Sequence, residues 1–230
     1  MISKVVKFIE DNRISSTEIA DVLGKSGLFD CASILNKGHY KVGEVVLVYA
    51  INNSNYEVHR QLAEKDIIDK ILLIYNVNCD RAIFGDLVSK YVLLYKHAKA
   101  IVVNGKLRDA HTLIKENYPI WCNGMSPIGC VNYSNGEDID EKLLAQLKEK
   151  YEGGIMVCDD SGVVLIPKEK INEKLLNGLH FIEYQEDIWF YCLDTLKMST
   201  YDIVCKKRYL MDEMIDKHLL ERLAKLDEEK

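Results

Sequence analysis

Three short apolar runs dense in β-branched residues, Val45–Ala50, Ile71–Tyr75 and Ala100–Val103, constrain the fold of this chain more than any other feature. Each is bounded by turn-forming or polar residues and is too short for a buried helix, so each reads as a buried strand. Between the second and third lies Gly85–His97, where Leu87, Val88, Tyr91, Val92 and Leu94 recur at helical spacing and are predicted to face inward. A strand, a helix and a strand in that order pair in parallel through a right-handed crossover. The predicted fold class is α/β.

The flanking segments fill in the remaining elements. Val5–Glu10 reads as a short leading helix. Ser15-Ser16-Thr17-Glu18 is a capping box that starts a second helix, ended by Gly27. A polar loop runs from there to about Val42. The Asn-rich turn Asn52–Asn55 precedes a helix over Tyr56–Ala63. After Pro119 comes the short apolar segment Ile120-Trp121-Cys122, then a charged amphipathic helix over Asp138–Lys150. Ile155–Val157 and Val163–Ile166 flank the polar turn Asp159-Asp160-Ser161-Gly162 and predict a hairpin. Pro167 is placed to start a helix through Leu176. Cys205–Lys230 is predicted to be one amphipathic helix with Leu210, Met214, Leu219, Leu220 and Leu223 as its stripe, packed on its own domain or across a subunit interface.

With 230 residues, 48% of them hydrophobic, the chain suffices for one large domain or a domain with an appendage. A net charge of −6 argues against a broad nucleic-acid or membrane-binding surface. The tight basic cluster Lys206-Lys207-Arg208 is followed closely by Asp212 and Glu213, as on a solvated helix face. Seven cysteines are scattered without a CxxC pair, which argues against a zinc ribbon or a thioredoxin-type motif. Most sit in apolar runs, as free thiols do in a reducing cytoplasm. Cys122 and Cys130 have no adjacent helix start or base and are not predicted nucleophiles. The N-terminus lacks the apolar core of a signal peptide, and no run approaches transmembrane length, so the expectation is a soluble, cytoplasmic protein.

The chemistry concentrates in Val102-Val103-Asn104-Gly105-Lys106-Leu107-Arg108-Asp109. Asn104-Gly105 turns the chain at the end of a strand, and Arg108-Asp109 sits before a helix expected over His111–Asn117, where open α/β folds carry ligands. Arg108 can clamp an anion while Asp109 holds a cation; taken alone, the octapeptide favours a structural ion pair or a helix-capping Asp109. Gly85-Asp86-Leu87-Val88 opens the helix before this strand, and its unpaired N–H groups are suited to a carboxylate. Fixed donors, one arginine and one carboxylate suit polarisation of a 2-oxo acid and stabilisation of its enolate.

These pieces resemble, in order, the motifs of the RraA-like family, which includes 4-hydroxy-4-methyl-2-oxoglutarate/4-carboxy-4-hydroxy-2-oxoadipate aldolases and the regulator of ribonuclease activity A. Ser16–Leu23 is similar to the opening helix, Asn55–His59 to a polar "DN…H" segment, and Phe84-Gly85-Asp86-Leu87 to "GDL". Val102–Gly105 with Arg108-Asp109 resembles "VVDGxxRD", Pro119–Gly124 with Pro127 resembles "PVFARGxxP", and Asp159 with Gly162–Pro167 resembles "ADxDGVVVIP". The likeness covers Ser15 to about Leu176.

The resemblance implies an α/β sandwich with a central mixed sheet flanked by helices over residues 1–197, plus a C-terminal helical tail over 198–230. It implies homotrimers or hexamers with sites between subunits. It assigns the substrate carboxylate to the amides of Gly85, Leu87 and Val88, and the keto oxygen and enolate to Arg108. Asp109 anchors Mg²⁺ or Mn²⁺ largely through water, and Asp86 is the acidic group beside that water. The implied activity is retro-aldol cleavage or decarboxylation of a small 2-oxo acid, such as oxaloacetate, through a pyruvate enolate. Departures are also visible. Thr112 stands where the aldolases carry an acidic residue, so the metal is expected to be weakly held. Asn123 replaces an arginine, the stretch between Gly27 and Val45 is short, and a charged helix occupies Asn132–Glu152. Two other readings follow: a non-catalytic regulator binding a protein partner, or an enzyme on the same scaffold with a different small substrate.

Overall fold

A computed structural model describes residues 1–30, 32–134, 136, 138–211 and 215–230. The chain divides into two compact units, Met1–Lys170 and Ile171–Lys230.

In the first unit α1 (Ile2–Asn12) and α2 (Ser16–Val22) lead. The capping box forms as the sequence predicts: Glu18 N–H donates to Ser15 Oγ at 3.2 Å and Ser15 N–H to Glu18 Oε2 at 2.7 Å. α2 ends earlier than Gly27, because Gly24 and Lys25 already take left-handed φ values of 73° and 61°. Then come β1 (Ser33–Ile34), β2 (Lys41–Ile51), α3 (Tyr56–Glu64), β3 (Ile71–Val77), β4 (Ala82–Phe84) and α4 (Asp86–Lys90), which runs into a π-helical turn over Tyr91–Tyr95. β5 (Ala100–Val103), β6 (Lys106–Leu107), α5 (Ala110–Lys115), β7 (Ile120–Cys122), α6 (Glu141–Tyr151), β8 (Ile155–Asp159) and β9 (Gly162–Ile166) complete it.

Seven strands form one mixed sheet in the order β1-β7-β5-β3-β2-β8-β9. β2, β3, β5 and β7 are mutually parallel, with Val45 opposite Ile71 and Ile71 opposite Ala100. β1 runs antiparallel to β7, β8 to β2 and β9 to β8, and the Asp159–Gly162 hairpin forms where expected. Alternation along the strands sends side chains to two cores. Val46, Val48, Leu72, Ile74, Ile101 and Val103 meet Val58 and Leu62 of α3, Val88 of α4, Val92 and Leu113 of α5 on one face. Val45, Leu47, Leu73, Val102 and Trp121 meet Leu147 and Tyr151 of α6 on the other. Trp121 is fully buried, worth about 2–3 kcal/mol by area, and its Nε1 donates to the Asp159 carbonyl at 2.9 Å.

Two further expectations are corrected in this unit. Only Val88 and Val92 of the Gly85–His97 set turn fully inward; Leu87, Tyr91 and Leu94 are exposed. The segment has more apolar positions than one face of a short helix can turn to the sheet. Pro167 starts only a 3₁₀ turn, Lys168–Lys170. The helix that follows is α7 (Glu173–Asp194), capped by Asn172, whose Oδ1 accepts from Leu175 N–H at 3.0 Å.

The second unit holds α7, a π-helical turn over Tyr201–Cys205, a 3₁₀ turn over Arg208–Met211 and α8 (Lys217–Glu229). The single helix expected from Cys205 is therefore broken, with Asp216 restarting it as a cap for His218 N–H at 2.7 Å. Ile188, Cys192, Ile203, Tyr209, Ile215 and Leu223 are its core, with Leu220 packed against them. Leu210 and Leu219 stay exposed, and Met214 lies outside the described residues. The unit division at Lys170 precedes the boundary at 197/198 implied by the resemblance, because α7 is continuous and packs with the tail elements.

Candidate active site

The site grows from the short parallel pair β4–β6. Arg108 N–H donates to the Phe84 carbonyl at 3.0 Å, so the chain leaving β6 lies beside the chain leaving β4. The segment 123–131 runs along the same pair: Leu107 N–H donates to Gly124, Ser126 N–H to Leu107, Ala82 N–H to Ile128 and Cys130 N–H to Ala82, at 2.8–3.0 Å. Asn55, ahead of α3, donates from Nδ2 to the Ile83 carbonyl at 2.8 Å, and its buried Oδ1 meets no donor among the described residues.

Gly85, Asp86, Arg108 and Asp109 are brought together here. Gly85 is the N-cap of α4. In the first turn the N–H groups of Asp86, Leu87 and Val88 lack intrahelical acceptors; Ser89 N–H is the first to be served, by the Gly85 carbonyl at 3.1 Å. Asp86 N–H is taken by Asp109 Oδ2 at 3.1 Å. Asp109 is the N-cap residue of α5 yet makes no side-chain cap to that helix, and its backbone is left-handed at φ 60°, ψ 34°. An aspartate tolerates this conformation better than most residues, at a cost of about 1–3 kcal/mol. The backbone thus turns the carboxylate away from the usual cap position and toward Gly85. Asp109 thus caps the first turn of α4, through the Asp86 N–H, rather than its own helix α5.

Arg108 lies between two glycines. A Cβ on Gly85 would come 2.7 Å from its Cγ, and one on Gly129 would come 2.8 Å from its Nη1. Its Nε stands 3.6 Å from Asp109 Oδ2, with both side chains about half exposed; such a pair contributes at most about 1 kcal/mol. The guanidinium therefore keeps most of its donors for another partner. Gly129 was not legible as a site residue; its signal, a glycine two positions after Pro127, gains meaning only once 125–131 is seen beside β4. Buried Tyr118 has its phenol pushed up mainly by burial, with Glu116 and Asp86 adding to the shift.

The donors fit a hard divalent ion. Asp109 and Asp86 offer oxygen only, and no cluster of three or more His, Cys, Asp or Glu is poised for a metal among the described residues. Mg²⁺ or Mn²⁺ held by one or two carboxylates and its own waters suits that set. Thr112, in the first turn of α5, brings a hydroxyl in place of a third carboxylate. His59 and His111 are exposed. Asp159 is structural, accepting from Ser16 N–H and Oγ at 2.7 Å each.

Comparison with known proteins gives the family of the chain. The family model described as RraA-like, Aldolase/RraA, matches residues 16–165. The chain belongs to the RraA-like family. Among curated relatives, the "Putative 4-hydroxy-4-methyl-2-oxoglutarate aldolase" of Halalkalibacterium halodurans is 29% identical over 165 residues, 71% of this chain and 78% of that protein. Protein DlpA of Legionella pneumophila is 27% identical over 103 residues, 45% of this chain but 17% of that protein. An uncharacterized protein from Pseudomonas syringae superposes with a TM-score of 0.68 at 19% identity, covering 90% of this chain and 95% of its own. Streptomyces coelicolor RraAS2, described as an unusual member of the RNase ES inhibitor RraA family, gives 0.62 at 20% identity over 80% and 95%. At such identities the structural neighbours bear on the fold alone: an RraA-like mixed sheet flanked by helices. No helix among the described residues is long and apolar enough to cross a membrane.

Proposed function

We propose that this RraA-like chain is a divalent-metal-dependent lyase that cleaves or decarboxylates a small 2-oxo acid through a pyruvate enolate. The observation that carries the reading is Arg108, seated between Gly85 and Gly129 with its guanidinium largely unpaired among the described residues and Asp109 turned toward the same turn. The amides of Gly85, Leu87 and Val88 bind the substrate carboxylate at the start of α4. Arg108 donates to the keto oxygen and holds the negative charge that gathers there as the neighbouring carbon–carbon bond breaks. Asp86 accepts or returns the proton at the edge of the site. Asp109 would hold a Mg²⁺ or Mn²⁺ ion, which when bound would supply Lewis-acid stabilisation of the charge on the keto oxygen. The relative named as an aldolase supports the reaction class.

The test is a coupled assay for pyruvate release by the full chain, with Mg²⁺ or Mn²⁺, across a panel of 2-oxo acids that includes oxaloacetate. Release that is metal-dependent and lost in Arg108→Lys supports the lyase. Absence of turnover across the panel favours a different small substrate, or the second reading, a regulator that binds a protein partner. That second reading rests on the Ile171–Lys230 unit, where Phe190, Tyr201 and Met211 are exposed. Self-association into a trimer or hexamer belongs with the lyase reading, supported by the exposed apolar face of α4 described below.

A further inference from the structure

The cysteines that look scattered in the sequence include one pair that the fold brings together. Cys79 follows β3, and Cys130 lies in the segment beside β4, 51 positions on. Asn53 clamps both neighbourhoods: its N–H donates to Cys79 Sγ at 3.2 Å, its carbonyl accepts from Val131 N–H at 2.9 Å, and its Oδ1 accepts from Asp80 N–H at 3.0 Å. Cys130 N–H is held by Ala82, three residues after Cys79, at 2.8 Å. Within this frame the two thiols lie close enough to perturb each other, and both are partly exposed.

We propose that Cys79 and Cys130 form a reversible, peroxide-sensitive disulfide that clamps the segment carrying Gly129 against Arg108. The pair is unequal. The Cys79 thiol is held below the ordinary thiol range, chiefly by the neighbouring Cys130 thiol and further by the Asn53 and Ser54 amides, against the effect of burial. Cys130 is pushed up by the Cys79 thiol and by burial. The Asn53 N–H that donates to Cys79 Sγ at 3.2 Å favours a thiolate there, which makes Cys79 the attacking sulfur and Cys130 the resolving one. The Cys79 thiolate attacks hydrogen peroxide: an S–O bond forms, the O–O bond breaks, and hydroxide leaves as water after taking a proton. Cys130 sulfur then attacks Cys79 sulfur, the S–O bond breaks, and the second hydroxide leaves as water with the Cys130 proton. Two thiols are oxidised and one peroxide is reduced to two waters. Cys130 directly follows Gly129, whose backbone borders the Arg108 guanidinium, so the link would tie that wall of the site to the loop after β3.

The experiment treats the full chain with hydrogen peroxide, blocks remaining thiols and maps a non-reducing tryptic digest. The expected product joins Ile71–Arg81 to Glu116–Lys142, lacks two hydrogen masses and is released by dithiothreitol. Because Glu116–Lys142 also carries Cys122, the map is repeated in Cys122→Ser, where the link must persist, and in Cys79→Ser, where it must vanish. Amide exchange over residues 125–131 is expected to slow on oxidation. A link through Cys122, over-oxidation of Cys79 while Cys130 stays alkylatable, or a full set of free thiols after peroxide would overturn the pairing. Unchanged exchange over 125–131 in the linked chain would overturn the clamp.

Discussion

Gly85 and Asp109 share a space that admits no third heavy atom: a Cβ on Gly85 would lie 2.1 Å from Asp109 Oδ2 and 2.9 Å from its Cγ. Gly85→Ala must therefore expel the carboxylate from the Asp86 amide or shift the start of α4. The expected cost is about 1–3 kcal/mol of stability, with the sheet intact because its two cores lie elsewhere. Thermal unfolding reads the stability term. Retention of wild-type turnover in Gly85→Ala would show that the position of Asp109 does not matter to the chemistry.

Arg108→Lys removes the planar fork while keeping the charge. A point ammonium cannot hold the keto oxygen and reach toward Asp109 together. One charge-assisted contact made mainly in the transition state is worth about 3 kcal/mol, or roughly a hundredfold in kcat. Gly129→Ala tests the same pocket from the other side, since its new Cβ would meet Nη1 at 2.8 Å; a loss of activity smaller than that of Arg108→Lys is expected. Full activity in Arg108→Lys would remove Arg108 from the mechanism.

Metal binding is expected to be weak and readily reversed. The ion keeps most of its waters when Asp109 is its one protein carboxylate, and Thr112 adds no charge. Chelation should abolish turnover, and Mg²⁺ or Mn²⁺ should restore it. Calorimetry should find binding in the full chain and none in Asp109→Ala. Tight binding that survives Asp109→Ala would place the ion elsewhere.

The parallel core was legible because β-branched runs at Val45, Ile71 and Ala100 carry their own periodicity, and the capping box at Ser15 is a local signal. Arg108, Asp109 and Gly85 could be named from motifs, but not their contact, which depends on β4 pairing with β6 across a turn of the chain. Cys79 with Cys130, and Gly129 with Arg108, were hidden for the same reason: the segment 125–131 has no strand pattern of its own and is placed by hydrogen bonds to Ala82 and Leu107. Helix-face assignments failed where a segment carries two apolar stripes. The continuous tail helix failed because propensity says little about where a short charged helix breaks.

The outward apolar stripe that runs from α4 into the π-helical turn Tyr91–Tyr95 leads to the prediction on assembly. Leu87 is 79% exposed, and Tyr91, Leu94 and Tyr95 follow it at helical spacing, 41%, 50% and 68% exposed. Ile114 on α5 is exposed too, and α5 contacts α4. Four such side chains on one face, next to the Gly85 turn, are worth several kcal/mol on burial at about 25 cal/mol per Å², so a second copy of the chain docked there would be held firmly. The trimer or hexamer of the proposed lyase is expected to use this face. Leu94→Glu should dissociate the assembly without unfolding the chain, because Leu94 contributes little to the interior. Turnover should fall with it if a neighbouring subunit completes the site. Light scattering that finds the unmodified chain monomeric at micromolar concentration would refute the assembly. An oligomer unaffected by Leu94→Glu would move the interface to another surface.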